Sequence, residues 1–266
     1  MSDAPSPTPE ELIRPYEDHA QEWAARLRSG GNWVHDHLEK PEILKMAHLS
    51  KGEKVVCLGC GSGEEIPAIQ ACGADVILGI DLSPAMLKLA QEQNPDVRFL
   101  EGDIASPSLD GIRCDVVFCS LAMHYAEDWR PSLRAVHAAL RDGGQFVFST
   151  HHPLIWSAET ARDPVGTVRR HGYSRNAEGA VEIWGDYGRE RWISDIWFGN
   201  MHVNFHHKTF STMVRTILES GFEIADVQEP LAEPDGSPEG GIYSRIPPFL
   251  FFSLRKPDRL DRPRKP

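Results

Sequence analysis

Short apolar runs recur along the middle of the chain, and longer mixed segments separate them. Lys54–Leu58, Asp75–Ile80, Val97–Glu101, Asp115–Cys119 and Gln145–Thr150 are rich in Val, Ile, Leu, Phe and Cys and read as strands. Glu64–Ala71, Ser83–Gln93 and Pro131–Leu140 read as the helices between them. Ser83-Pro84 is a favourable helix entry, with Ser as N-cap and Pro in the first turn. Strands apolar throughout are covered on both faces, so the alternation predicts an α/β fold with a parallel sheet between two helical layers. Ligands of such sheets sit beyond the carboxyl ends of the strands.

The pattern differs at both ends of this block. Glu17–Arg28 and Glu39–Leu49 read as N-terminal helices, after a polar, proline-rich opening, MSDAPSPTPEE, that is expected to be mobile. From His151 to His207 the alternation stops. VEIWGDY and RERWISDIWF in that stretch look like hairpin material. A helix over Ser211–Ser220, capped by Gly221, and strands at Glu223–Val227 and Phe249–Leu254 complete the chain. The expected organisation is a helical cap over residues 1–50 and one domain over 51–266, in which 151–207 is a β-rich insert after the fifth strand that covers the substrate.

The first strand runs into VVCLGCGSGEE, with glycines at Gly59, Gly61 and Gly63. Glycine tolerates positive φ there and lets a ligand approach the backbone. The free amides of the following helix start can donate to that ligand. A dinucleotide fingerprint needs G-x-G-x-x-G, but Glu64 stands at its last position and the third glycine comes one residue early. The second strand ends on Asp81, whose carboxylate can accept from both ribose hydroxyls or cap the next helix. The third leads into Gly102-Asp103-Ile104. The fourth ends at Cys119-Ser120-Leu121 and is followed by His124 and Tyr125.

These four segments, in this order and spacing over Val55–Thr150, resemble the class I S-adenosylmethionine-dependent methyltransferases. The resemblance implies a Rossmann-like, doubly wound, seven-stranded, mostly parallel sheet. It implies S-adenosyl-L-methionine as cofactor and S-adenosyl-L-homocysteine as product. It also implies a cofactor site at Gly59, Cys60, Gly61, Gly63, Asp81, Leu82, Asp103, Ile104 and Ser120. Asp81 would then take the ribose, Asp103 the adenine amine, and Ser120 would lie beneath the sulfonium. Met86 could pack against the nucleoside or belong to the core. One position departs from the family. Many members carry an acid two residues before the first glycine, where it helps to hold the methionyl ammonium; this chain has Cys57.

Methyl transfer is an in-line displacement from an activated donor, so the enzyme mainly aligns the reactants. A base is needed only where the acceptor loses a proton. His124, His151 and Tyr125 are the catalytic candidates because they follow the fourth and fifth strands at the cofactor rim. His152 is an alternative, and all of them could instead be cleft wall. A histidine there would titrate near neutrality. Trp156, Tyr173, Trp184, Tyr187, Trp192 and Trp197 could wall a planar acceptor or form the core of the insert. His206-His207 could reach the same pocket. There is no HExxH, and no metal site is expected.

Composition narrows the partners. The 266 residues are 41% hydrophobic and carry a net charge of -11, which disfavours a sequence-independent grip on nucleic acid. The one compact basic cluster is the tail RKPDRLDRPRKP, which reads as a solvated tail. Five cysteines without a CxxC pair read as reduced, near-core thiols. No membrane-length apolar run or leader pattern is present, so a cytoplasmic monomer or homodimer acting on a small-molecule acceptor is expected. Two other functions share the core: an RNA or tRNA base methyltransferase, using Arg162, Arg169, Arg170, Arg175, Arg189 and Arg191 as a basic rim, and a non-catalytic SAM-binding regulator. A nicotinamide dehydrogenase is the remaining alternative.

Overall fold

The computed structural model describes residues 6–163 and 166–258, with the side chains of 161–168 left undescribed. Seven strands form one sheet in the order β12-β13-β5-β4-β1-β2-β3. They are β1 (Lys54–Leu58), β2 (Asp75–Asp81), β3 (Phe99–Glu101), β4 (Cys114–Cys119), β5 (Leu140–His151), β12 (Glu223–Gln228) and β13 (Phe249–Arg255). The first five run parallel, while β13 is antiparallel to both β5 and β12. The sheet is thus mostly parallel and seven-stranded, as the resemblance implies.

Period-two alternation along β1 builds both faces at once. Val56 and Leu58 join Val117, Cys119 and Phe148 in one core, against α6 (Arg130–Ala139) and α8 (Phe210–Glu219). Val55 and Cys57 join Val116 and Phe118 in the other, against α3 (Lys40–Ala47) and α4 (Ile66–Ala71). The strand order reverses between β1 and β4, because β2 and β3 are added on one side and β5 on the other. The crevice at their carboxyl ends is the switch point where open α/β sheets bind ligands.

Several boundaries differ from expectation. The opening is already helical at Pro9: α1 (Pro9–Asp18) starts on a capping box between Thr8 and Glu11. It breaks at His19 before α2 (Ala20–Arg28), so Glu17–Arg28 is not one helix. Residues 1–5 and 259–266, which include most of the basic tail, lie outside the described residues, as does the Arg162 side chain. A single π-helical turn, His35–Glu39, precedes α3. The helix after the glycine turn begins at Ile66 rather than Glu64, with Pro67 in its first turn, where a missing N–H costs nothing. A short helix, Pro238–Tyr243, was not foreseen. Cys72, read as near-core, is exposed at the end of α4.

The segment after β5 holds a short helical turn, Pro153–Trp156, and three antiparallel strand pairs. β6 (Glu159–Asp163) pairs with β7 (Gly166–Arg170), β8 (Gly172–Arg175) with β9 (Val181–Trp184), and β10 (Arg191–Trp197) with β11 (Met201–His207). Met201, Val203 and Phe205 bury one face of the last strand against Tyr16, Trp23, Trp156 and Trp197. The insert therefore packs on the N-terminal helices as well as on the sheet.

Candidate functional site

Gly59, Gly61 and Gly63 have φ of +67, +50 and +80, so the turn needs residues without a β-carbon penalty. A β-carbon on Gly59 would collide with the Ala122 methyl, because the chain leaving β4 passes directly over the turn. One on Gly61 would meet nothing, because that face is open. The turn is pinned to β2 by Cys60 N donating to Ile80 O at 2.9 Å. Asp81 pins it a second time: its carboxylate accepts from Gly61 N at 2.8 Å and from Ser83 N at 3.0 Å. Burial pushes the Asp81 carboxyl above its usual range, and the two backbone amides pull the other way. Each oxygen keeps lone-pair capacity for a further donor. Asp103 is fixed in the same manner, by Ala105 N at 2.8 Å.

Gly59, Gly61, Asp81 and Asp103 line one end of a cavity of about 400 Å³, whereas Gly63 faces away from it, where a β-carbon would collide with Asn94 and crowd Ala90. Leu82, Met86, Ile104 and Ser120 also line the cavity, as does Cys60. The structure brings the glycine turn, Asp81, Asp103 and Ser120 together around this cavity.

At the other end, His124 and His151 stack face to face with ring centroids 3.6 Å apart and planes 8° apart. Trp156 covers the far face of His151 at 4.1 Å, and Phe205 meets its edge at 4.6 Å. Both His124 nitrogens and Nδ1 of His151 are buried with no hydrogen-bond partner in the protein. Such orphan groups are rare in native interiors. Burial, with the nearby Lys208 charge, drives His124 down to about 3; burial and the His124 ring lower His151 well below its ordinary value. Both are neutral at physiological pH, and neither titrates near neutrality. The Tyr125 hydroxyl pairs with that of Tyr16, and burial raises its phenol, so it stays protonated.

Other candidates are placed elsewhere. His152 Nε2 pairs with Glu229 at 2.7 Å, His207 with the Tyr187 carbonyl at 2.9 Å, and His206 with Lys208 at 3.2 Å. Of the insert aromatics, Trp156, Trp197 and Phe198 line the cavity. Tyr173 is 71% exposed, and Trp192 donates to Glu127. Among the described residues, no group of three or more His, Cys, Asp or Glu side chains is arranged to hold a metal.

Tyr16, Trp23 and His35 also line the cavity, though no motif in the sequence marks them. Tyr16 stands on α1 and Trp23 on α2, and their rings meet edge to face at 5.6 Å across the break at His19. Trp23 stacks on Trp197 at 6.2 Å, so α2 and the insert meet over the site. Glu17 ties α1 down by accepting from Ser83 Oγ at 2.5 Å and Ala85 N at 3.0 Å.

The description "Methyltransferase domain" fits residues 56–148. An S-adenosylmethionine dependent methyltransferase of known structure from Mesorhizobium loti is 32% identical, with a TM-score of 0.66 over 81% of this chain and 96% of that one. This chain belongs to the S-adenosylmethionine-dependent methyltransferases. Two named enzymes match a shorter stretch. Trans-aconitate 2-methyltransferase of Paracidovorax citrulli is 35% identical over 39% of this chain and 40% of its own length. Malonyl-[acyl-carrier protein] O-methyltransferase of Serratia marcescens is 31% identical over 41% and 42%. The chain therefore spans about two-fifths of each of these enzymes.

The methyltransferase uses S-adenosylmethionine, and its cavity fits that cofactor. The open face at Gly61 is where a bound group would take the place of a β-carbon. Asp81 and Asp103 place two carboxylate acceptors on the cavity wall. No helix among the described residues is long and apolar enough to cross a membrane.

The buried histidines give stability a defined pH dependence. His124 stays neutral when folded, so the unfolded chain takes up its proton first and stability falls as pH drops from about 6.5 towards 3. His35 does the reverse. Burial alone would lower it, but its hydrogen bond to Glu65 and the charges of Glu65 and Glu39 raise it to about 9. Its contribution is complete below about pH 6.5 and is lost as pH rises through 9. Urea midpoints from pH 4 to 9.5 should therefore trace a dome. His124→Phe should flatten the acid limb and His35→Gln the alkaline limb, each by up to about 1.4 kcal/mol per pH unit. A dome unchanged in both variants would refute the assignment.

Proposed function

We propose that the enzyme transfers the methyl group to a small, uncharged, planar acceptor lodged against the His124–His151 stack. The observation that carries this is the pair of neutral, unpartnered imidazoles inside an aromatic wall. A neutral imidazole offers one donor and one acceptor. Trp156, Trp197 and Phe249 supply faces for a flat ring. Among the described lining residues there is no Lys or Arg, and the acids Glu64, Glu65, Asp81 and Asp103 all lie on the glycine turn or at the ends of β2 and β3. Arg169 lies over the Trp156 ring, but its guanidinium is paired with Asp195 at 2.9 Å. That wall suits neither trans-aconitate nor a malonyl group, the anionic acceptors of the two named relatives. It also lends no support to an RNA substrate, since none of the insert arginines with a described side chain lines the cavity.

Bound at the glycine turn, S-adenosylmethionine supplies a methyl group already activated on a sulfonium. Asp81 holds the ribose and Asp103 the adenine amine. Gly59, Cys60, Gly61 and Gly63 shape the turn, Leu82 and Ile104 flank the nucleoside, and Ser120 lies at the transfer end. His124 and His151 orient the acceptor's N–H or O–H and can take its proton as it leaves. Tyr125, kept protonated, is a donor and wall rather than a base. The insert 151–207 and the helical cap 1–50 cover the acceptor and exclude water.

The test is a panel of hydroxy- and amino-heterocycles, each paired with its carboxylated analogue, incubated with cofactor and read by mass spectrometry. Methylated product should come from the uncharged members. Methylation confined to the carboxylates would overturn the assignment of acceptor class.

A further inference from the structure

The cavity wall beside the glycine turn carries charges that the transfer chemistry does not use. Glu65 follows the turn directly and reaches back towards β1. Glu65, Cys57, Gly59 and Ser120 are among the residues that line a small void of about 10 Å³, room for about one water. The carboxylate thus stands beside the one β1 position where this chain departs from its family. Glu65 Oε1 lies 2.8 Å from His35 Nε2, and His35 Nδ1 lies 3.1 Å from Asp36 Oδ1. With a carboxylate at each nitrogen, the ring carries both protons. Glu39 stands behind it: one oxygen, 3.7 Å from His35 Nε2, has no hydrogen-bond partner, and the other accepts from Ser120 Oγ at 2.9 Å and Ser149 Oγ at 2.5 Å.

Three carboxyl groups therefore surround a single imidazolium. The neighbouring Glu64 is already matched, by Arg28 Nε at 2.9 Å and Ser62 Oγ at 3.1 Å. Glu65 and His35 both line the main cavity, across the glycine turn from Asp81 and Asp103. The cofactor has a neutral nucleoside at one end and an amino acid, with its ammonium and carboxylate, at the other. Lys40, whose ammonium donates to Glu64 O at 2.8 Å, adds a second cation beside the cluster, and Glu65 is the one of the three carboxyl groups around His35 that opens on the cavity.

We propose that Glu65 holds the ammonium of the cofactor's amino-acid end in place of the acid that β1 lacks, with His35 and Glu39 as positioning residues that fix Glu65 and Ser120. The proposal rests on the cofactor assignment. It makes Cys57 a packing residue and moves the recognition of this end onto a contact between the glycine turn and the π-helical turn of the N-terminal region.

Calorimetry with two ligands tests it. S-Adenosylhomocysteine carries the ammonium; 5′-methylthioadenosine keeps the nucleoside and sulfur but lacks the amino acid. Glu65→Gln should weaken S-adenosylhomocysteine about 10–100-fold, the range for a lost charged hydrogen bond, and 5′-methylthioadenosine no more than about 2-fold. His35→Gln and Glu39→Gln should show smaller losses with the same ligand selectivity. Equal loss for both ligands, or no loss in folded Glu65→Gln, would overturn the proposal. A measurement on the unaltered protein covers the case of a variant that fails to fold. There the deaminated analogue of S-adenosylhomocysteine should bind at least about 10-fold more weakly than the parent, and equal binding would again overturn the proposal. If the unaltered protein bound none of these ligands, the cofactor assignment itself would fail.

Discussion

Asp81→Ala is expected to weaken S-adenosylhomocysteine binding by about 30–150-fold, equivalent to about 2–3 kcal/mol, with the fold retained. The carboxylate accepts from Gly61 N and Ser83 N, so it sets the turn and presents its remaining lone pairs to the ribose from one rigid position. Hydrogen bonds to an ionised group are the stronger kind, and both are aimed before the ligand arrives. Burial raises the Asp81 carboxyl, so ionising it in the folded protein costs stability. Removing that cost offsets part of the loss of the two amide contacts, and the melting temperature should move little. Asp81→Asn is not benign either, because its NH₂ must face one of two donors. Calorimetric titration with thermal melts separates the effects. Unchanged affinity in a folded Asp81→Ala protein would reduce Asp81 to a helix cap.

The clustering of the residues proposed for the nucleotide was legible because each of them is local. The glycines, Asp81, Asp103 and Ser120 each sit at or just past the end of a strand, and parallel strands deliver such ends to one rim. The strands were legible for the same reason: β1 and β4 are apolar at nearly every position, as burial on both faces demands. The acceptor half depends on long-range packing that no spacing reveals. Tyr16 and Trp23 reach the cavity only because α1 is tied to Ser83 and Ala85 through Glu17. Glu39 reaches Ser120 and Ser149 through a π-helical turn, which has no strong sequence signature. The insert read correctly as β-rich, yet which of its aromatics face inward depends on strand register. Trp197 and Met201 are partners at the end of the last hairpin and turn to the cavity and core, whereas Tyr173, paired with Ile183, faces outward. The protonation state of His124 was also beyond the sequence. An ordinary histidine titrates near neutrality, and only the burial of both its nitrogens removes that property.

That burial shapes the second large effect. Once an acceptor is in hand from the heterocycle panel, His124→Ala should lower kcat by about 10²–10⁴-fold, the range for a positioned proton acceptor, with S-adenosylhomocysteine affinity nearly intact. Affinity is spared because the proposed cofactor contacts lie on the turn and at the ends of β2 and β3, whereas His124 stands past β4 against His151. The pH–rate profile of the unaltered enzyme should show no limb from His124 between about pH 6 and 8. The group is pushed down to about 3, so it is already deprotonated throughout that range and loses its acceptor form only in acid. A weak base of this kind suits an acceptor whose proton becomes acidic only as the new bond forms, since the proton then moves late and needs no strong base beforehand. Stacking makes the pair one unit: His151 is held between His124 and Trp156, so deleting either imidazole leaves the other ring without a wall. The double variant His124→Ala/His151→Ala should then lose little more than His124→Ala alone, as expected for side chains in direct contact. Fully additive losses would mean that the two rings act separately. A limb near pH 6.5 that vanished in His124→Ala would mean that the ring is solvated and titrating, contrary to the packing seen around it.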